Sequence, residues 1–209
     1  MRQYISAFKG DWKRYRERRE SDSMSALRWI RLCFEDFGLH CAVVYRFIQC
    51  ANWLRRKNRV LALPLTIPAD VAKFLMHLLH HMQIRVEEIG PGFTIYHAGT
   101  IYIRARSIGR NFSITHNVTI GNGNAKGKSG VPLIGDNVWV GTGAVVFGEI
   151  SIGNNVTIAP GCILSSDVPD GFLAAGNPGR PLIKDYDNSH LFKKRVRDEK
   201  AGSEGTAEG

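Results

Sequence analysis

Residues 133–164 read LIGDNVWVGTGAVVFGEISIGNNVTIAPGCIL. Within them Ile134, Val140, Val146, Ile152, Ile158 and Leu164 recur every six residues, with Gly directly after Ile134, Val140 and Ile152. Small or apolar side chains stand four places after a leading residue, at Val138, Ala144, Val156 and Cys162. Helices repeat near 3.6 residues and strands at two, so neither explains a period of six. Short strands joined by corners and wound into coils do, which is a parallel β-helix. The leading aliphatic and the residue four later point inward, and Gly serves the corner backbone.

The pattern extends upstream through Ile89, Ile95, Ile101, Ile108, Ile114 and Ile120, with companions at Phe93, Ala105, Phe112 and Val118. It slips by one residue between Ile101 and Ile108 and takes an insertion between Ile120 and Ile134. Twelve units at three per coil give about four coils. We therefore expect a mainly β chain, with a β-helix over residues 86–183, a loop at 121–133 and a flexible, charged tail over 184–209. The tail ends AGSEGTAEG, a composition that favours disorder.

Residues 1–85 have a different texture. Apolar residues recur at helical spacing from Ser25 to Arg59, with Gly38 as the expected break, and again from Pro68 to Gln83. A helical N-terminal region is expected there. It also carries the charge. The chain of 209 residues has a net charge of +9. Residues 1–60 hold 14 Lys/Arg against 6 Asp/Glu, a balance of +8, while residues 86–183 hold six of each. Such a segment suits an anionic lipid surface as well as a solvated helical face. We expect peripheral membrane contact through residues 1–60 and no nucleic-acid partner. Met1–Glu20 lacks the apolar core of a signal peptide. Val60–Leu79, the best candidate span, is interrupted by Pro64, Pro68, Asp70 and Lys73. Four Cys without CxxC spacing argue against a disulfide scaffold or a four-Cys zinc module. The expected location is cytoplasmic, at the inner face of the membrane.

Three stretches carry a resemblance: IGRNFSITHNVTIGNG (108–123), the stretch quoted above, and the closing DVPDGFLAAGNPGRPLI (167–183). With them, residues 38–183 resemble the hexapeptide-repeat acyltransferases, a superfamily built on a left-handed parallel β-helix. The helical start followed by GFTIYHAGTIYI (92–103) is similar to serine acetyltransferases and their relatives in exopolysaccharide clusters. The resemblance implies acetyl-CoA as donor, homotrimers or trimer-based assemblies, and active sites between subunits.

His97 and His116 each stand two places after a leading aliphatic, Ile95 and Ile114. They are one coil apart, and neighbouring coils lie about 4.8 Å apart, so the two imidazoles should stack at one corner outside the core. Histidine changes charge nearest neutral pH, which suits a general base for acyl transfer to a hydroxyl. By resemblance, His97 matches the catalytic histidine of the serine enzymes, and His116 matches a residue of the polysaccharide-cluster relatives. Two departures stand out. Tyr96 replaces the Asp that precedes the first histidine, and Gly130–Val131–Pro132 replaces an Arg-His pair. A hydroxyl of a sugar or polysaccharide precursor is thus the expected acceptor, and serine the alternative.

For the donor, the resemblance implies Thr142, Gly143, Pro160, Ser165 and Ser166, with Arg180 and Lys184 near the phosphates. Trp139 faces outward beside that corner, either covering the pantetheine arm or packing between subunits. Gly123–Ser129 reads G-x-x-x-G-K-S, one residue too short between its glycines for a phosphate-binding P-loop and in the wrong context. His77, His80 and His81 share a helix face without an acidic or Cys partner, so no metal is expected. A zinc hydratase on this fold would need three histidines where the repeats offer two. A non-catalytic trimeric scaffold is the remaining class, distinguished by having no reason to bind acetyl-CoA.

Overall fold

The computed structural model describes residues 2–18, 35–125 and 127–192. Helix α1 (Arg2–Arg18) comes first. Helix α2 (Phe37–Lys57) is capped by Asp36, whose side chain accepts from the Leu39 N–H at 3.1 Å. The expected break at Gly38 thus falls two residues earlier, while Leu27, Ile30 and Phe34 lie outside the described residues. Gly38 sits in the first turn of α2 for another reason: a Cβ there would stand 2.3 Å from the Ile95 carbonyl oxygen.

Asn58 ends α2 and begins α3 (Arg59–His80). Its N–H donates to the Leu54 carbonyl, and its side chain accepts from the Val60 and Leu61 N–H groups. This cap starts α3 nine residues before Pro68, which lies inside the helix with Pro64 instead of opening it. His81 closes α3 in the left-handed region, φ 51°. Met82–Ile84 is then not helical; it is the first strand, β1, and the β-helix begins at Met82, ahead of residue 86.

The remaining strands, numbered in chain order, build three sheets. One holds β1, β3 (Ile101–Ile103), β6 (Val118–Gly121), β11 (Val145–Phe147) and β14 (Ile163–Leu164), all parallel. A second holds β2 (Thr94–Ile95), β5 (Ser113–Ile114), β10 (Trp139–Val140), β13 (Thr157–Ile158) and β15 (Leu173–Gly176), closed by antiparallel β16 (Gly179–Ile183). The third holds β4 (Ser107–Ile108), β9 (Leu133–Ile134) and β12 (Ser151–Ile152). The hairpin β7 (Gly123–Ala125) and β8 (Lys128–Gly130) forms the insertion.

The core is the six-residue pattern seen edge-on. Ile95, Ile114, Val140, Ile158 and Ala174 stand in register through the second sheet, all buried. In the first sheet the register corrects the reading: Ile103, not Ile101, aligns with Ile120, and Ile101 aligns with Val118. The chain takes two extra residues between Ile95 and Ile103, and recovers one before Ile108. One corner is a ladder of asparagines in the left-handed region. Asn111, Asn137 and Asn155 have φ of 55–56°, and their side chains hydrogen-bond in series at 2.8 and 2.9 Å. Asn tolerates that conformation better than other residues with a Cβ.

The first coil has an open edge, and side chains from the helices cover it. Buried Asp11 of α1 accepts from the Gly92 and Phe93 N–H groups, both at 2.8 Å. It also pairs with Arg46 of α2, whose guanidinium donates to the Ile89 and Gly90 carbonyls at 2.6 and 2.7 Å. Gln49 donates to Glu87 O and Tyr45 to Val86 O, and the Tyr15 hydroxyl accepts from the Ile95 N–H at 2.9 Å. Burial raises the Asp11 pKa, against the lowering effect of Arg46 and the two amides.

At the far end, residues 185–192 are held rather than loose. The Tyr186 N–H donates to Gly171 O, the Asn188 amide donates to Asn137 O, and helix α4 (Ser189–Phe192) follows. The flexible tail expected from residue 184 therefore does not begin there, because these bonds attach the segment to the corner ladder. Residues 193–209 lie outside the described residues.

Arg46→Ala strands a buried carboxylate and two backbone carbonyls, those of Ile89 and Gly90, and should cost about 3–5 kcal/mol in chemical denaturation. Asp11 then binds a proton more tightly folded than unfolded. The deficit should therefore be smaller near about pH 4.5 than near about pH 7.5, because stability carried by a raised carboxyl is lost as pH rises through its folded pKa. Equal stability of variant and parent would remove the cap from this role.

Candidate active site

Parallel registry of β2, β5, β10 and β13 puts the residues two places after Ile95, Ile114, Val140 and Ile158 into one column. Those residues are His97, His116, Thr142 and Pro160, as the spacing requires. The His97 and His116 rings meet edge to face, with centroids 6.0 Å apart and planes at 85°. His97 is exposed at the corner with φ 57°, a left-handed conformation uncommon for residues with a Cβ. The eight-residue step to Ile103 carries Ala98 and Gly99 past the corner beside His116. A Cβ on Gly99 would stand 3.1 Å from the His116 Cβ.

His116 is half-buried, and its Nδ1 is enclosed without a hydrogen-bond partner among the described residues. A buried polar atom left unpaired costs about 1–3 kcal/mol. A ligand atom or another subunit meeting that nitrogen would relieve it. The Gly143 N–H donates to the His116 carbonyl at 3.3 Å, and the Gly161 N–H to the Thr142 carbonyl at 2.8 Å. These bonds tie successive corners together and hold the column straight.

A cavity of about 410 Å³ opens beside His97. Its walls are Arg18 at the end of α1, residues 35–38 at the start of α2, and Tyr96 and Ala98 of the corner. Arg18 pairs with Asp36 and lies over the Tyr96 ring, 4.8 Å from its centroid. The Tyr96 hydroxyl donates to the Leu191 carbonyl at 3.4 Å. Arg18 and Asp36 were not legible as site residues in the sequence. Arg18 reaches the cavity because Asp11 and Tyr15 fasten α1 to the first coil, and Asp36 stands there as the N-cap of α2; no local pattern announces either contact.

The expected donor residues fall in two groups. Thr142, Gly143 and Pro160 lie along the histidine column, and Trp139 is half-buried in β10, two residues after Asn137 of the ladder. Ser165 and Ser166 follow β14, and the Ser166 hydroxyl donates to Gly179 O at 3.4 Å. Arg180 in β16 and Lys184 just beyond it are exposed. Cys162 is fully buried, and burial raises its thiol pKa, so it is packing rather than nucleophile. Buried Cys41 is pushed up to about 12 for the same reason.

His77, His80 and His81 take separate partners. His77 hydrogen-bonds Gln83, His80 packs against Phe37, and His81 caps α3. Among the described residues no three His, Cys, Asp or Glu gather as a metal set. Lys126 lies outside the described residues.

Residues 132–166 match the family described as bacterial transferase hexapeptide (six repeats). A serine acetyltransferase of Helicobacter pylori is 32% identical over 150 residues, covering 71% of this chain and 82% of that protein. The putative colanic acid biosynthesis acetyltransferase WcaB of Escherichia coli is 32% identical over 138 residues, covering 64% of this chain and 83% of that protein. Serine acetyltransferase 3 of Arabidopsis thaliana is 40% identical over 108 residues, a match that spans only 27% of its length. Among solved structures, the soybean serine acetyltransferase apoenzyme superposes with a TM-score of 0.65 at 28% identity, covering 87% of this chain and 70% of that one.

Proposed function

The chain belongs to the hexapeptide-repeat acetyltransferases with their left-handed β-helix, and from that premise we propose that it moves an acetyl group from acetyl-CoA to a hydroxyl, with His97 as general base. The observation that carries this reading is the His97–His116 corner: an exposed imidazole beside a cavity, backed by a second whose enclosed nitrogen lacks a partner. His97 takes the hydroxyl proton as the acceptor oxygen attacks the thioester carbon. A C–O bond forms, the tetrahedral intermediate collapses, and the C–S bond breaks. The imidazolium returns the proton to the departing sulfur, leaving an O-acetyl ester and free CoA thiol. His116 holds the reacting groups in line. In this reading the donor runs along Thr142, Gly143 and Pro160 toward Ser165 and Ser166, with Arg180 and Lys184 for its phosphates. The assembly is a homotrimer, typical of this fold, and no metal takes part.

For the acceptor, the comparisons favour serine over the sugar hydroxyl expected from the sequence. The H. pylori and Arabidopsis relatives and the soybean structure are all serine acetyltransferases. Arg18, on the wall of the cavity beside His97 and already held by Asp36, is the cation that a serine carboxylate would meet in this reading. A sugar hydroxyl is the second reading. It is favoured by the absence of an Arg-His pair at Gly130–Val131–Pro132 and by the likeness to WcaB.

His97→Ala should lower acetyl-CoA-dependent thiol release by roughly 10²–10⁴-fold. Acetyl-CoA affinity should stay nearly unchanged, since an exposed corner leaves no core cavity when truncated. His116→Ala should cost less. Full activity in His97→Ala would remove the mechanism, and a larger loss in His116→Ala would exchange the two roles.

Thiol release screened with L-serine and a panel of sugars decides the acceptor. With serine, Arg18→Ala should raise KM and leave kcat little changed. Release with a sugar and none with serine would reverse the order.

A further inference from the structure

Helix α3 is apolar on nearly its whole circumference. Its buried side is a narrow seam of Ala62, Ala69 and Met76, seven residues apart, packed toward α2. On the other side Val60, Leu63, Ile67, Val71, Phe74 and Leu78 follow helical spacing, and nine large apolar side chains of this helix are 43–75% exposed. By length and composition the helix could cross a membrane, and only 17% of its most apolar window is buried. At 1.5 Å per residue its 22 residues make a stripe about 33 Å long. Soluble chains rarely leave so much contiguous apolar surface open.

Charge identifies what covers it. Arg55, Arg56 and Lys57 in the last turn of α2 and Arg59 at the start of α3 are exposed, and Arg56 among them pairs with Glu87 at 2.8 Å. Between residues 55 and 86, Asp70 is the only acidic residue. A second copy laid antiparallel along the stripe would set these cations against the His77–His81 end, with almost no carboxylate to meet them. An anionic lipid surface supplies both an apolar layer and the opposite charge.

We propose that α3 lies in the interface of an anionic membrane, with the Val60–Leu78 stripe in the acyl boundary and the Arg55–Arg59 cluster at the headgroups. The helix lies flat rather than spanning. Its other side is committed to α2, which Arg46 bolts to the first coil, so crossing would draw that polar layer into the bilayer. This moves the membrane contact expected from residues 1–60 onto residues 59–80, with only the basic cluster retained from the earlier segment.

The full chain should co-sediment with vesicles of phosphatidylglycerol and phosphatidylcholine at low salt, and less so at high salt. The double variant Leu63→Glu/Phe74→Glu replaces exposed side chains only. It should keep its circular dichroism spectrum and its oligomeric state, and lose at least about tenfold in vesicle partitioning. Arg55→Glu/Lys57→Glu should lose binding most strongly at low salt. Absence of vesicle binding by the parent chain, or equal binding by the double variant, would overturn the proposal. So would dissociation of the oligomer in the double variant, which would assign the stripe to contacts between copies.

Discussion

A β-helix cannot leave the open edge of its first coil bare. Every coil satisfies its backbone groups on the next one, so the first coil has a row of amides and carbonyls with no coil above it. In this chain α1 and α2 take the place of that missing coil, and buried Arg46 is central to it. The guanidinium meets two coil carbonyls and the Asp11 carboxylate, and Asp11 in turn meets two coil amides. An ion pair this buried is favourable only when its remaining donors and acceptors are also paired. Here the β-helix itself supplies the partners. The site depends on the same arrangement. Tyr15 holds the Ile95 amide two residues before His97, and the α1 turn that follows brings Arg18 to the cavity.

The corner that carries His97 and His116 is laid out by translation. Successive coils repeat the same geometry, so any residue type placed two positions after a leading aliphatic arrives in the same column. The fold therefore offers a row of positions outside the core, and the chain fills two neighbouring ones with imidazole. Chemistry there does not compete with packing, because Ile95 and Ile114 remain buried whatever stands two places on. One irregularity of the repeat bears on the site. The lengthened step from Ile95 to Ile103 puts His97 in a left-handed conformation and lays Gly99 against His116.

Much of this was legible in the sequence, and the limits have physical causes. Period six, inward positions, the histidine column and the insertion all follow from local spacing, which a repeat fold converts directly into three dimensions. Ile103 was misread as Ile101 because both are buried aliphatics and only pairing with Ile120 distinguishes them. The start of α3 was misplaced because Pro68 is a strong opening signal, whereas the dual cap at Asn58 acts through side-chain bonds. Arg46 reads as one more surface cation of a basic segment; its burial depends on Asp11, 35 residues away. Arg18 likewise meets Asp36 and Tyr96 only in the folded chain.

The central claim is that acyl transfer occurs at the His97–His116 corner, and a crystal structure with CoA bound tests it most directly. The account places the thiol sulfur at that corner, within about 3–4 Å of a His97 ring nitrogen or one water away from it. Pantetheine should run past Thr142 and Pro160. A sulfur resting at the asparagine corner or against the β7–β8 hairpin, with His97 facing only solvent, would contradict it.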